Sequence, residues 1–168
     1  MDPRALGFEC ESAIGLLAKA MPASQKWDKP TLFHSIRVGS DLYLKGYPRE
    51  MVLAGFLHDL LEDTEVTAEQ IETQFGKRVL DIVQANSKDT SITDRHLRKK
   101  DLVLRCVEAG PDALIVKLAD IVDNFKYCTA LNDTAGLDYG YELGNLIFEN
   151  LPKGFSDLFM DELKTFLK

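Results

Sequence analysis

The stretch Val52–Thr64, VLAGFLHDLLEDT, decides how the chain is read. It opens with six apolar or small residues and then sets four ionisable groups, His58, Asp59, Glu62 and Asp63, into six positions. Its length and its lack of a β-branched run predict a helix. In that helix His58 lies over Glu62 and Asp59 over Asp63, because residues four apart share a face. Three carboxylates around one histidine repel one another unless something positive sits among them, and a divalent metal supplies that charge most directly. Taken alone, the stretch also fits a helix whose outer face is acidic.

Outward from this stretch the chain reads as helix after helix. Phe8 to Met21 is apolar at Ile14, Leu17, Ala18 and Met21, with Pro22 after its end. Residues 23–30, ASQKWDKP, are polar and read as a loop. Thr31 to Lys45 repeats the helical period through Leu32, Ile36, Val38, Leu42 and Tyr43, and Gly46 is placed to end it. Pro48 suits the first turn of the next helix, which runs to Asp63 and is apolar on most of its circumference before the charges begin. Thr67 and Gln70 form a capping box for a short helix that Gly76 ends. Lys77 to Ser87 follows, then a loop over residues 88–93 and a helix from Asp94 to Glu108 with a basic start (Arg95, His96, Arg98, Lys99, Lys100). Such charge runs commonly form a solvated face.

Asp112 to Ala130 is the second decisive segment. Leu114, Ile115, Val116, Leu118, Ala119, Ile121, Val122 and Phe125 cover nearly all of its circumference. Lys117, Asp120 and Asn124, with Asp123 beside them, leave one narrow polar stripe that requires a partner or a ligand if buried. Residues 132–137 read as a loop, and helices are expected over 138–150 and 156–167. No alternating strand pattern appears, so the fold class is all-α, a bundle of about eight to ten helices in a single domain over 1–168.

Composition narrows the partners. A net charge of −7 argues against nucleic acid, whose backbone needs a clustered basic surface, but not against a small phosphorylated ligand. No apolar run reaches the ~20 residues of a membrane span. The N-terminal stretch carries acids where a secretory signal carries positive charge, and it is not read as one. Cys10, Cys106 and Cys128 are odd in number and widely spaced, which fits reduced thiols in a cytoplasmic protein.

His34, His58 with Asp59, and Asp120 thus come from three separate helices, each among apolar neighbours. Two imidazoles and two carboxylates suit Mn²⁺, Fe²⁺ or Zn²⁺ with positions left for water and substrate. The H…HD…D order on an all-helical chain resembles the HD-domain metal-dependent phosphohydrolases. HDLLEDT is similar to the H-D-x-x-E-D-T box of their guanosine tetraphosphate hydrolases, the RelA/SpoT type, in its small stand-alone form. FHSIRVG resembles that family's I-H-x-x-x-V-A segment, TAEQIETQFGKRVLDIV its T-x-E-E-I-x-x-x-F-G stretch, and VKLADIVDN its V-K-L-A-D-x-x-x-N helix.

The resemblance implies hydrolysis of the 3′-pyrophosphate of guanosine tetra- or pentaphosphate. It implies that His34, His58, Asp59 and Asp120 hold one metal, usually Mn²⁺. Glu62 and Asp63 would orient or deprotonate the attacking water, and Asn124, Lys26 and Lys88 would contact substrate. The departures lie on the base-binding side. Gln25 and Ala20 stand where the family has an arginine and a histidine, and Ile-Val-Asp fills the interval between Asp120 and Asn124. Another phosphorylated nucleotide or phosphoester therefore remains the alternative substrate. A module that only senses a nucleotide would have lost members of the ligand set, and none is lost.

Overall fold

The computed structural model describes residues 3–21 and 30–167. Within them the chain forms ten helices and no strand: α1 (Pro3–Ala20), α2 (Thr31–Leu44), α3 (Arg49–Leu57), α4 (Leu60–Asp63), α5 (Ala68–Phe75), α6 (Lys77–Asn86), α7 (Arg95–Ala109), α8 (Pro111–Leu131), α9 (Thr134–Asn150) and α10 (Leu158–Phe166). Gln25, Lys26 and all but the last residue of the loop read over residues 23–30 lie outside the described residues.

The breaks follow from local chemistry. The Thr67–Gln70 capping box forms in both directions, Gln70 N donating to Thr67 Oγ1 at 3.2 Å and Thr67 N to Gln70 Oε1 at 2.8 Å. Asp94 caps α7 by accepting from Leu97 N at 2.8 Å. Gly76 and Gly110 turn the chain at φ 96° and 104°, a region that residues with a Cβ rarely enter.

Three helices depart from the sequence reading, the first being α1, which begins at Pro3 rather than Phe8. The segment 48–63 is not one helix but α3 and α4, broken at His58–Asp59. There the Gly55 carbonyl accepts from His58 Nδ1 at 2.9 Å, and Asp59, at φ −91° and ψ −8°, sits at the edge of the right-handed helical region. Helix α9 starts at Thr134, within the stretch read as a loop over 132–137. Asn132 takes the left-handed conformation that ends α8, and Asp133 immediately caps α9 through Gly136 N at 3.1 Å. One residue in the αL state replaces an entire loop.

Helices α3 and α8 run through the core. Every residue from Met51 to Leu57 is buried, as are most of α8 from Ala113 to Phe125. Helix α2 approaches α3 closely because two glycines face the contact. A Cβ added at Gly55 would sit 3.2 Å from the Gly39 Cα, and one at Gly39 would meet the Phe56 ring. This approach brings His34 of α2 and His58 at the end of α3 to a ring-centroid separation of 5.2 Å. Among the described residues no helix is long and apolar enough to cross a membrane, and the three cysteines are buried free thiols.

Candidate metal centre and adjoining cavity

Helix α2, the α3–α4 break and α8 each deliver donors to one buried point. Ligand atoms of His34, His58 and Asp120 all lie within 4.8 Å of one another. His34 Nε2 is 3.1 Å from Asp120 Oδ1 and 3.8 Å from Asp59 Oδ2. His58 Nε2 is 3.3 Å from Asp59 Oδ1 and 3.7 Å from Asp120 Oδ1. Neighbouring residues of a straight helix point about 100° apart. His58 and Asp59 nonetheless reach the same point through their side chains, Nε2 and Oδ1 lying 3.3 Å apart.

The outer nitrogens of both rings are occupied. His58 Nδ1 donates to the Gly55 carbonyl, and His34 Nδ1 lies 2.6 Å from Asp123 Oδ2. Each ring therefore turns Nε2 inward, and His58 Nε2 is buried without a hydrogen bond. An inward pair of imidazole nitrogens among carboxylate oxygens is a donor set for a divalent cation, and the residues fit one.

Two cations on the protein side balance part of the negative charge. Lys117, buried in α8, donates to Asp120 Oδ2 at 3.0 Å and to the Asn86 carbonyl at 3.4 Å. Burial works against the Asp120 carboxylate, but Lys117 and the two imidazoles outweigh it and hold its pKa well below the usual carboxylate range. Asn124 adds a donor at 2.6 Å to Asp120 Oδ1. Arg37 grips Asp123 with Nε and Nη2, each at 2.7 Å, and burial of Asp123 is again outweighed, here by His34 and Arg37, so its pKa is lowered.

Glu62 and Asp63 leave the break on α4. Both Glu62 oxygens are engaged by Lys88, through the backbone N–H at 2.6 Å and Nζ at 2.8 Å. Lys88 is exposed as a whole residue, yet crowding around its amine disfavours the charge. Glu62 outweighs that effect and the amine is pushed up to about 12. Asp63 is exposed. The structure thus joins two residues, Glu62 and Lys88, that the sequence presented separately.

A cavity of about 260 Å³ opens beside the centre, with Asp59, Lys88, Lys117, Asp120 and Asn124 on one side and Tyr127, Tyr139 and Leu143 among the rest. Lys88, Leu102 and Tyr139 also border a second basin, completed by Arg95, Arg98 and Lys99 from the basic start of α7. Lys99 is buried and pairs with Glu142, so that start is not wholly a solvated face. The sequence reading missed Arg37 and the bond from Asp123 to His34. The available signal was an arginine one turn past His34 on a helix whose neighbours are apolar.

An HD domain family profile matches residues 13–146, and the chain belongs to that family. Among similar proteins, a probable guanosine-3′,5′-bis(diphosphate) 3′-pyrophosphohydrolase of Mycoplasma pneumoniae is 32% identical over 132 residues, 67% of this chain and 18% of that protein. The guanosine-3′,5′-bis(diphosphate) 3′-pyrophosphohydrolase MESH1 of Drosophila melanogaster is 26% identical over 126 residues, 74% of this chain and 70% of that one. The chain therefore spans less than a fifth of the first relative and most of the second. A solved structure of a metazoan ortholog of SpoT, described as hydrolysing ppGpp, superposes with a TM-score of 0.77 at 21% identity, covering 94% of this chain and 93% of that one. At that identity the likeness establishes the fold.

Proposed function

We propose that this chain is a metal-dependent phosphohydrolase acting as one HD-type unit, which removes pyrophosphate from the 3′ position of guanosine tetra- or pentaphosphate. The observation that carries the reading is the inward-facing His34, His58, Asp59 and Asp120 set at the edge of a cavity with Lys88, Lys117 and Asn124 on its wall. The names of the relatives supply the nucleotide. These four residues would hold one divalent cation, Mn²⁺ in this proposal, which lowers the pKa of bound water and offsets charge building on phosphorus.

The chain's own residues have the remaining tasks. Lys117 keeps Asp120 ionised inside the core, and Lys88 fixes the orientation of the Glu62 carboxylate. Each Glu62 oxygen keeps lone-pair capacity beyond its bond to Lys88, so the group can accept a proton from the attacking water. Asp63 on the same turn assists in orienting that water. Asn124 and Lys88 contact the substrate, with Lys26 assigned the same role from the sequence. The basin of Arg95, Arg98 and Lys99 beyond Tyr139 suits a substrate carrying phosphate at more than one position.

The deciding assay is release of pyrophosphate from guanosine tetraphosphate, with and without Mn²⁺ and chelator. Mn²⁺-dependent release is expected. A second reading, another phosphorylated nucleotide or phosphoester as substrate, is favoured by Gln25 at the place of the family's arginine. It gains if the protein with Mn²⁺ leaves guanosine tetraphosphate intact yet cleaves other nucleotides.

A further inference from the structure

We propose that Arg37 and Asp123 form a positioning clamp on His34, which fixes the ring nitrogen facing the centre and so sets how tightly that centre holds a divalent cation. The inference rests on reading the centre as a metal site.

The two imidazoles are held differently. The outer nitrogen of His58 meets a neutral backbone carbonyl, whereas that of His34 meets the Asp123 carboxylate at 2.6 Å. An ionised carboxylate accepts and cannot donate, so the Asp123 contact calls for a proton on His34 Nδ1 and turns Nε2 toward Asp120 and Asp59, 3.1 and 3.8 Å away. A carboxylate partner also makes the ring a stronger electron donor than a carbonyl does. His34 is only 1% exposed, so no bulk water competes for either nitrogen.

Asp123 alone would add a second buried carboxylate beside Asp120, with the half-buried Asp59 next to them. Arg37 solves this locally. Its two-pronged bond to Asp123 neutralises the charge and fixes the carboxylate plane, which a lysine's point charge would not do. The guanidinium is itself held between rings, 4.8 Å from the Phe33 centroid and 5.8 Å from that of Tyr127. The order from surface to centre is Phe33 and Tyr127, Arg37, Asp123, His34. The proposed hydrolysis assigns no step to Arg37 or Asp123, and their link to the centre runs through His34.

The test uses the full chain and two readouts. Imidazole ¹⁵N NMR on metal-free protein reports the His34 tautomer, and calorimetric titration with Mn²⁺ alone reports affinity. Asp123→Ala is expected to move His34 away from the Nδ1–H form, leave the His58 signals in place, and weaken Mn²⁺ binding about 10- to 100-fold. Asp123→Asn keeps an acceptor oxygen and is expected to retain the tautomer with a smaller loss. Arg37→Lys, which keeps the charge and loses the two-pronged geometry, is expected to weaken binding by a few-fold and carries the test if Asp123→Ala does not fold. An unchanged His34 tautomer with affinity within about twofold of wild type in Asp123→Ala, or in Arg37→Lys where Asp123→Ala does not fold, overturns the clamp, because a merely structural role moves stability and neither readout. If the wild-type protein binds no Mn²⁺, the metal reading falls and the affinity half of the proposal falls with it. The tautomer measurement still decides whether Asp123 sets the ring.

Discussion

Glu62 and Lys117 illustrate how single charges are held at the candidate site. Glu62 is held from the outside by Lys88, and Glu62→Gln keeps its size while removing its capacity to take a proton. We expect kcat to fall by roughly 10²- to 10⁴-fold with Mn²⁺ affinity little changed, read by parallel turnover and titration measurements. Lys117→Met leaves Asp120 buried beside a non-polar chain. Breaking a buried pair costs about 3–5 kcal/mol, so urea denaturation in chelator should show a loss of that order, with a smaller loss when divalent cation is present to meet the Asp120 charge. At this scale much of the site was legible: His34, His58, Asp59 and Asp120 stand out as polar residues on apolar helices, and they do converge. The Arg37–Asp123 bond was only half legible: Asp123 stands beside the polar stripe of an apolar helix and Arg37 one turn past His34, but nothing in the sequence pairs positions 86 apart.

At the scale of elements, the contact between α2 and α3 sets the separation of the two imidazoles. Gly39→Ala pushes a methyl group into the Phe56 ring, which is 2% exposed and has little room to move. Overpacking of this kind costs about 1–3 kcal/mol, more than the gain of roughly 1 kcal/mol from replacing glycine in a helix. The variant should therefore be less stable and bind Mn²⁺ more weakly, and Gly39→Ala combined with Phe56→Leu should recover both in the same measurements. The helices themselves were readable because apolar period, capping box and glycine breaks are local signals. The break at His58–Asp59 and the early start of α9 were not. The first depends on a side-chain bond to Gly55 inside an otherwise regular apolar run, and the second on one left-handed residue, Asn132, doing what a loop usually does.

Across the whole molecule, distant segments are tied together by groups whose ionisation matters. The Tyr47 hydroxyl donates to Asp157 at 2.7 Å, joining the α2–α3 connection to the cap of α10. Burial, with the Asp157 bond adding to it, raises its pKa well above the usual tyrosine range. A raised pKa of this kind stabilises the fold fully below the unfolded value near 10 and is lost as pH rises beyond it. The stability difference between wild type and Tyr47→Phe, about 1 kcal/mol, should thus stay constant up to about pH 10 and shrink above it, as followed by denaturant titrations at several pH values. Metal acts at the same scale. Divalent cation at 100 times its Kd should add about 2.7 kcal/mol to the unfolding free energy, and chelator should abolish that gain in a melting experiment.

The centre draws on α2 and the α3–α4 break, which follow one another along the chain, and on α8, which comes only after α5, α6 and α7. Its donors converge only once all three have docked, so an extended or half-formed chain offers an ion no comparable site. An ion that needs all three would bind after assembly and could not guide it. It works as a brake on the reverse process: added Mn²⁺ should slow unfolding in stopped-flow experiments while leaving the refolding rate unchanged, so that its benefit appears as the lifetime of the folded chain.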